Sequence, residues 1–210
     1  TVSWSYSCFK NITSLVQAAG INTRITFADA LYTNHPLAGN DAGGWTVIVV
    51  YKNNFEKTRQ LTVFDGWATI TSGYTTADIP VNGFQTQTTG NFDVEIGMVT
   101  FDGDRPSTGD GASIRGQGSP TFTPLFDAIH ASNNIFNSTI SNNGVLTPFR
   151  IPNLNNTLGH DASIFRPNNS TFQYLANNTN SLTVRVTTGG EGYSIYAMST
   201  VIDAFEPKGF

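Results

Sequence analysis

Residues 92–99, "FDVEIGMV", decide the fold. Phe92, Val94, Ile96 and Met98 are apolar and share one parity, while Asp93, Glu95 and Gly97 take the other. Successive side chains on a strand point to opposite faces, so the stretch reads as a strand half in a core and half toward solvent. Residues 181–188, "SLTVRVTT", repeat the pattern, with Leu182, Val184 and Val186 inward and Arg185 outward. Two other runs, "TVIVVY" at 46–51 and "YSIYAMSTVI" at 193–202, are apolar on both parities. These predict central strands covered on both faces. Turn-forming "NNG" at 142–144 and "TTGGEG" at 187–192 punctuate the runs.

Two short helices are expected. In "TSLVQAAG" (13–20), Ser14 is placed to cap the first turn, Gln17 to close a capping box and Gly20 to stop the helix. In "TPLFDAIHAS" (123–132), Thr123 precedes Pro124 at the favoured first helical position, and Leu125 and Ile129 lie four apart. Neither is long enough to organise a domain. The expectation is an all-β protein: one antiparallel β-sandwich domain, jelly-roll-like, over 1–210, with one or two short helices at its corners. Within it, 43–70 reads as two core strands joined by a solvated tip at 52–60, "KNNFEKTRQ".

Composition narrows the function classes. The 210 residues are 39% hydrophobic, enough for a sizeable core, but only 12% charged, about half the usual ~25%. Asn, Thr, Ser and Gly supply the polarity. With a net charge of −4 and scattered Lys and Arg, the chain offers no basic stripe for a nucleic acid. No apolar run approaches the ~20 residues of a membrane helix, and no leader pattern is visible. The single cysteine, Cys8, lies between Tyr6 and Phe9 and is expected to be a buried thiol.

The most polar constellation is "TFDGDRPSTGDGASI" (100–114), where Asp102, Asp104 and Asp110 share one Gly-rich loop after a strand. Closely spaced oxygens on a flexible loop suit a hard cation such as calcium. The pattern is not an EF-hand, since Arg105 and Pro106 interrupt it and Ser113 stands where the closing Glu belongs. The alternative is an Asp-Gly turn with Asp104 or Asp110 paired to Arg105. In "GHDASIF" (159–165), His160 and Asp161 form either a ligand pair or a surface turn. His35, His130 and His160 lack zinc spacing, with His130 on the expected second helix.

There is no nucleophile elbow, Cys–His signature, phosphate loop or dinucleotide fingerprint, and no two carboxylates stand out as a glycosidase pair. Trp45 and Trp67 each lie beside glycine, which permits close approach of a ligand. With Tyr74 they are the candidate sugar-stacking residues. Sequons occur at Asn11, Asn137, Asn155, Asn168, Asn169 and Asn177.

Taken in order, "CFKNITSLV" (8–16), "GGWTVIVVYKN" (43–53), "RQLTVFDGW" (59–67), "TFDGD" with "TGD" (100–110), "NNIFNSTIS" (133–141), "NTLGHDASIF" (156–165) and "VTTGGEGYSIYAMSTVIDAFEP" (186–207) span nearly the whole chain. The set resembles an extracellular domain of secreted, multidomain bacterial surface proteins of the adhesin type, found in Bacteroidota and actinobacteria. The resemblance implies a secreted β-sandwich, a polar cluster of Asp102, Asp104, Asp110 and Asp161, and no established catalytic residues. That pattern normally begins earlier and continues past "IDAFEP", which implies a piece of a longer protein.

The leading expectation is therefore a noncatalytic cell-surface module for adhesion or structure, meeting other protein subunits or surface glycans, with calcium as its one candidate cofactor. A self-assembling filament or sheath subunit, a homo-oligomer built by strand exchange at an open sheet edge, is the second reading. A carbohydrate-binding module or glycosidase is the third.

Overall fold

A computed structural model describes residues 6–20, 22–30 and 43–205. After a short helix α1 (Thr13–Ala19) come ten strands: β1 (Arg59–Ile70), β2 (Thr76–Asn82), β3 (Val94–Phe101), β4 (Gly111–Gly116), β5 (Thr123–Pro124), β6 (Ile140–Asn142), β7 (Val145–Leu146), β8 (His160–Phe165), β9 (Ser181–Thr187) and β10 (Tyr193–Asp203). They form a six-stranded sheet ordered β1-β10-β3-β8-β6-β7 and a four-stranded sheet ordered β2-β9-β4-β5. Pairing is antiparallel except between β6 and β8. The all-β sandwich expected from the alternation is the fold observed.

One apolar cluster joins the two sheets. Val94, Ile96 and Met98 of β3 and Ile195, Met198 and Ile202 of β10 share it with Ile114 of β4 and Leu182, Val184 and Val186 of β9. Phe92 is buried as expected. Burying such side chains contributes roughly 1.5–3 kcal/mol each, so this shared layer dominates the stability of the sandwich.

Several local expectations need correction. The run 46–51 forms no strand, and Val47, Ile48, Val49, Val50 and Tyr51 are 40–75% exposed. Strand propensity is overridden here: among the described residues no strand pairs with the run. The stretch 43–70 is thus one strand preceded by an arm, rather than a hairpin of two core strands. β10 is internal, yet only one of its faces enters the core and the other is half-buried.

Helix α1 stops at Gly20 as expected, but it starts one residue before Ser14. Ile12 holds the cap position without a side-chain bond, and Asn11 Oδ1 accepts the Thr13 amide instead. The second expected helix is absent. Thr123 pairs with Ile114, Leu125 N donates to Ala112 O, and Asp127 Oδ1 accepts the amides of Ile129 and His130. Such local carboxylate turns compete directly with helix formation. Cys8 is exposed, not buried, because the segment around it contributes nothing to the core. His35 lies outside the described residues. Among those residues no helix is long and apolar enough to cross a membrane.

The two faces of the six-stranded sheet predict different sensitivities. Ile96→Ala, in the core, should cost about 2–5 kcal/mol in urea unfolding, whereas Leu61→Ala, on the outer face of β1, should cost no more than about 0.5 kcal/mol.

Candidate functional site

Where β3, β8 and β10 end, polar chemistry replaces the apolar core. Asp102 leaves β3 with φ 70°, a left-handed conformation that aspartate tolerates, and its amide donates to Gly159 O at 2.8 Å. The next residue, Gly103, is buried. Phe136 O, and Asp161 Oδ2 at 2.6 Å, stand against the place a Cβ on Gly103 would take. The loop returns at Asp110, whose Oδ2 accepts the Phe136 amide at 2.6 Å. Three residues on, the Thr139 amide donates to Asp161 Oδ1 at 2.9 Å. Glu191, in the turn before β10, accepts the Asp104 amide through Oε1.

The outcome is a buried cluster of three carboxylates, termed the chamber, with exposures of 0% for Asp110, 1% for Asp161 and 9% for Glu191. Each is oriented by a backbone amide on one oxygen. The other oxygen of each, Asp110 Oδ1, Asp161 Oδ2 and Glu191 Oε2, is buried and receives no N–H, while the carboxyls of Asp110 and Glu191 stand close enough to share a hydrogen bond. Burial pushes the Asp161 carboxyl up to about 8, with the charges of Asp110 and Glu191 adding to it. Asp110 and Glu191 are likewise raised, chiefly by burial. Tyr193 borders the same charges, and burial followed by the charges of Asp110 and Glu191 raises its phenol.

Of the four aspartates singled out in the sequence, Asp110 and Asp161 enter this chamber. Asp102 and Asp104 stay exposed on the loop. Asp102 is raised by desolvation and then by Asp104, and Asp104 contributes its backbone amide. Glu191 was missed; its only signal was a lone acid between glycines directly before an apolar central strand. Arg105 does not pair with Asp104 or Asp110 but donates to Asn155 O at 2.5 Å. Among the described residues no three His, Cys, Asp or Glu side chains converge on one point at metal-ligand distance. His160 and Asp161 are not a ligand pair either. As neighbours on β8 they face opposite ways, Asp161 into the chamber and His160 onto the outer face.

His130 lies beside this polar layer and is fully buried. Its Nδ1 meets Asp127 Oδ1 at 2.8 Å, its Nε2 lies 2.9 Å from Thr139 Oγ1, and its ring packs edge-on to Phe165. Desolvation lowers its pKa, against the raising effect of Asp127. Among the sequons, Asn169 is buried and holds the Tyr174 and Leu175 amides, so it is a structural residue.

The second notable region is the outer face of the six-stranded sheet. A bulge sets Gly66–Trp67 opposite Tyr196, and β10 also shifts register against β3 at Tyr196. Bulges re-aim side chains. Here they line up an aromatic row across four strands: Trp67 meets Tyr196 at 4.9 Å, Tyr196 meets Phe101 at 5.0 Å, and Phe101 meets His160 at 4.8 Å. The arm touches the far end of the row. Gly44 lies against Phe101, and Thr46 Oγ1 is 3.1 Å from His160 Nε2. Between them Trp45 turns away to stack on Phe27 at 5.9 Å. At its other end Lys57 bridges Asp93 at 2.5 Å and the buried Asp203 at 2.6 Å. Tyr74 sits apart, in the turn bonded to Thr71. Among the described residues no ring contact joins Trp45, Trp67 and Tyr74 to one another.

Two outcomes test this geometry. Gly103→Ala should destabilise by about 1–3 kcal/mol in chemical unfolding, because its Cβ meets fixed oxygens. Gly43→Ala, with nothing within 4 Å among the described residues, should stay within about 0.5 kcal/mol of wild type. For His130 the folded-state pKa lies below the unfolded value, so its contribution is complete above pH ~6.5 and is lost as pH falls. Unfolding measured from pH 8 to 5 should show wild type losing stability relative to His130→Gln below that point, by at most about 1.4 kcal/mol per pH unit. Comparison with protein-family models, curated proteins and solved structures finds no match for this chain.

Proposed function

We propose that this chain is a noncatalytic extracellular module of a cell-surface protein, serving adhesion or structure by docking other protein subunits on the outer face of its six-stranded sheet. One observation carries the reading. Leu61, Val63, Trp67 and Ile164 lie on that face at 37–47% exposure, over strands whose opposite face is core. Exposed large apolar side chains gathered on one sheet face are a common mark of a protein-binding surface. The low charge content and the Asn- and Thr-rich surface support an extracellular setting, as does the resemblance to secreted surface domains.

Strand addition is the second reading, and a separate observation favours it. Among the described strands β1, twelve residues long, is an edge of its sheet. The arm at 46–51 has strand-type sequence and exposed apolar side chains. One copy therefore carries both an open edge and a segment able to pair with it on another copy. Sugar stacking draws less support. The rings of the aromatic row cross at 53–87°, so they turn edges to one another instead of presenting one flat surface.

Sedimentation velocity over a wide concentration range tests both readings for the case in which the docked subunit is another copy of this chain. Wild type should associate as concentration rises, and Leu61→Glu should remain monomeric and folded. Val49→Pro should abolish association only if the arm pairs as a strand, since proline removes a ladder donor. A wild-type chain that stays monomeric at its solubility limit overturns self-docking through this face.

A further inference from the structure

We propose that the chamber formed by Asp110, Asp161 and Glu191 is a binding site for one divalent cation of the calcium class, held entirely by oxygen. The inference is independent of the docking face. It rests on three buried carboxylate oxygens that no N–H or neutral hydroxyl reaches, with Asp110 and Glu191 close enough to hydrogen-bond each other when one is protonated and Asp161 Oδ2 left unpaired. A buried carboxylate is costly unless paired, and here three share one space. None of the ion pairs among the described residues reaches them: Lys57 and Arg59 serve Asp203, Arg166 serves Glu95, and Arg185 serves Asp78. Positive charge must come from elsewhere, either a cation or a proton shared between carboxylates.

Geometry favours the cation. The amides of Phe136, Thr139 and Asp104 each clamp one oxygen of a carboxylate, which directs the free oxygen of the same group inward. Groups that orient ligands in this way are a regular feature of metal sites. Gly103 keeps the floor open. Without a side chain there, Phe136 O and Asp161 Oδ2 come together beside its Cα, adding a carbonyl to the carboxylates. The set contains no sulfur or imidazole, so it selects a hard ion. Calcium accepts mixed carboxylate and carbonyl oxygens in irregular geometry, whereas magnesium demands a near-ideal octahedron. Among the described residues no three acidic side chains converge at metal-ligand distance, so binding requires one of the three to move. Glu191 has the longest side chain of the three, so the movement is assigned to it, with exchange of its Asp104 amide bond for the ion.

Such an ion would tie together the loop after β3, the segment 136–139, β8 and the turn before β10. These pieces are distant in sequence and, around the chamber, are joined by loop hydrogen bonds.

The test uses the full chain stripped with chelator. Titration calorimetry with calcium chloride should show one site, and the melting midpoint should rise by about 5–10 °C at a hundredfold excess over Kd. Magnesium should shift it less. Terbium(III) supplies a readout that needs no variant. Tyr193, beside Asp110 and Glu191, should sensitise its luminescence, and calcium should quench that signal by competition. Asp161→Asn and Glu191→Gln should lose the calcium response while melting no lower than wild type in chelator, because each puts a neutral amide of the same shape in place of a buried acid whose ionisation is disfavoured. Absence of calcium heat, midpoint shift and sensitised terbium in folded wild type overturns the proposal and leaves a proton-sharing cluster. An equal shift with magnesium overturns the calcium assignment.

Discussion

The packing of β3 and β10 against β9 and β4 is the constraint on which the rest of the molecule depends. Once one face of β3 and β10 is committed to that layer, strand geometry leaves no choice about the other face. Asp161 must point inward where His160 points outward, and Phe101 must join the outer row where Thr100 is buried. The polar chamber and the aromatic row are therefore two sides of the same strand ends. They are separated by the thickness of one sheet, and neither can be repositioned without slipping the register of the core.

The legible part of the fold was the part with simple periodicity. "FDVEIGMV" and "SLTVRVTT" announced both their strand character and their inward residues, because alternation is a direct imprint of a half-buried sheet. "TVIVVY" misled for the complementary reason. A run apolar on both parities says only that its side chains avoid water, and it holds no information on whether a partner strand is present. Residues 124–132 failed differently: helical spacing of Leu125 and Ile129 was outweighed by Asp127, whose single carboxylate oxygen captures two backbone amides.

The site was half legible. Asp110 and Asp161 stood out because acids beside strand ends are uncommon in a chain with few charges. Nothing in the sequence, however, distinguished them from Asp102 and Asp104, which share the same loop chemistry. Burial makes that distinction, and burial is decided by which loop residues the segment 136–139 covers. Glu191 was hidden within turn-forming glycines. The aromatic row was invisible for a further reason. Trp67, Phe101, His160 and Tyr196 come from four strands and meet only because two register shifts coincide at Tyr196.

The pairing of Arg59 with Asp203 has a mechanical consequence. It puts the start of β1 and the end of β10 side by side at one end of the sheet, and tension drawn through these two points would load their ladder in a peeling geometry. Peeling breaks rungs one after another, which resists force far less than shearing them together. Lys57 and Arg59, both gripping the buried Asp203, sit at the first rung. Opening the sheet from this end therefore means first pulling Lys57 and Arg59 off the buried Asp203.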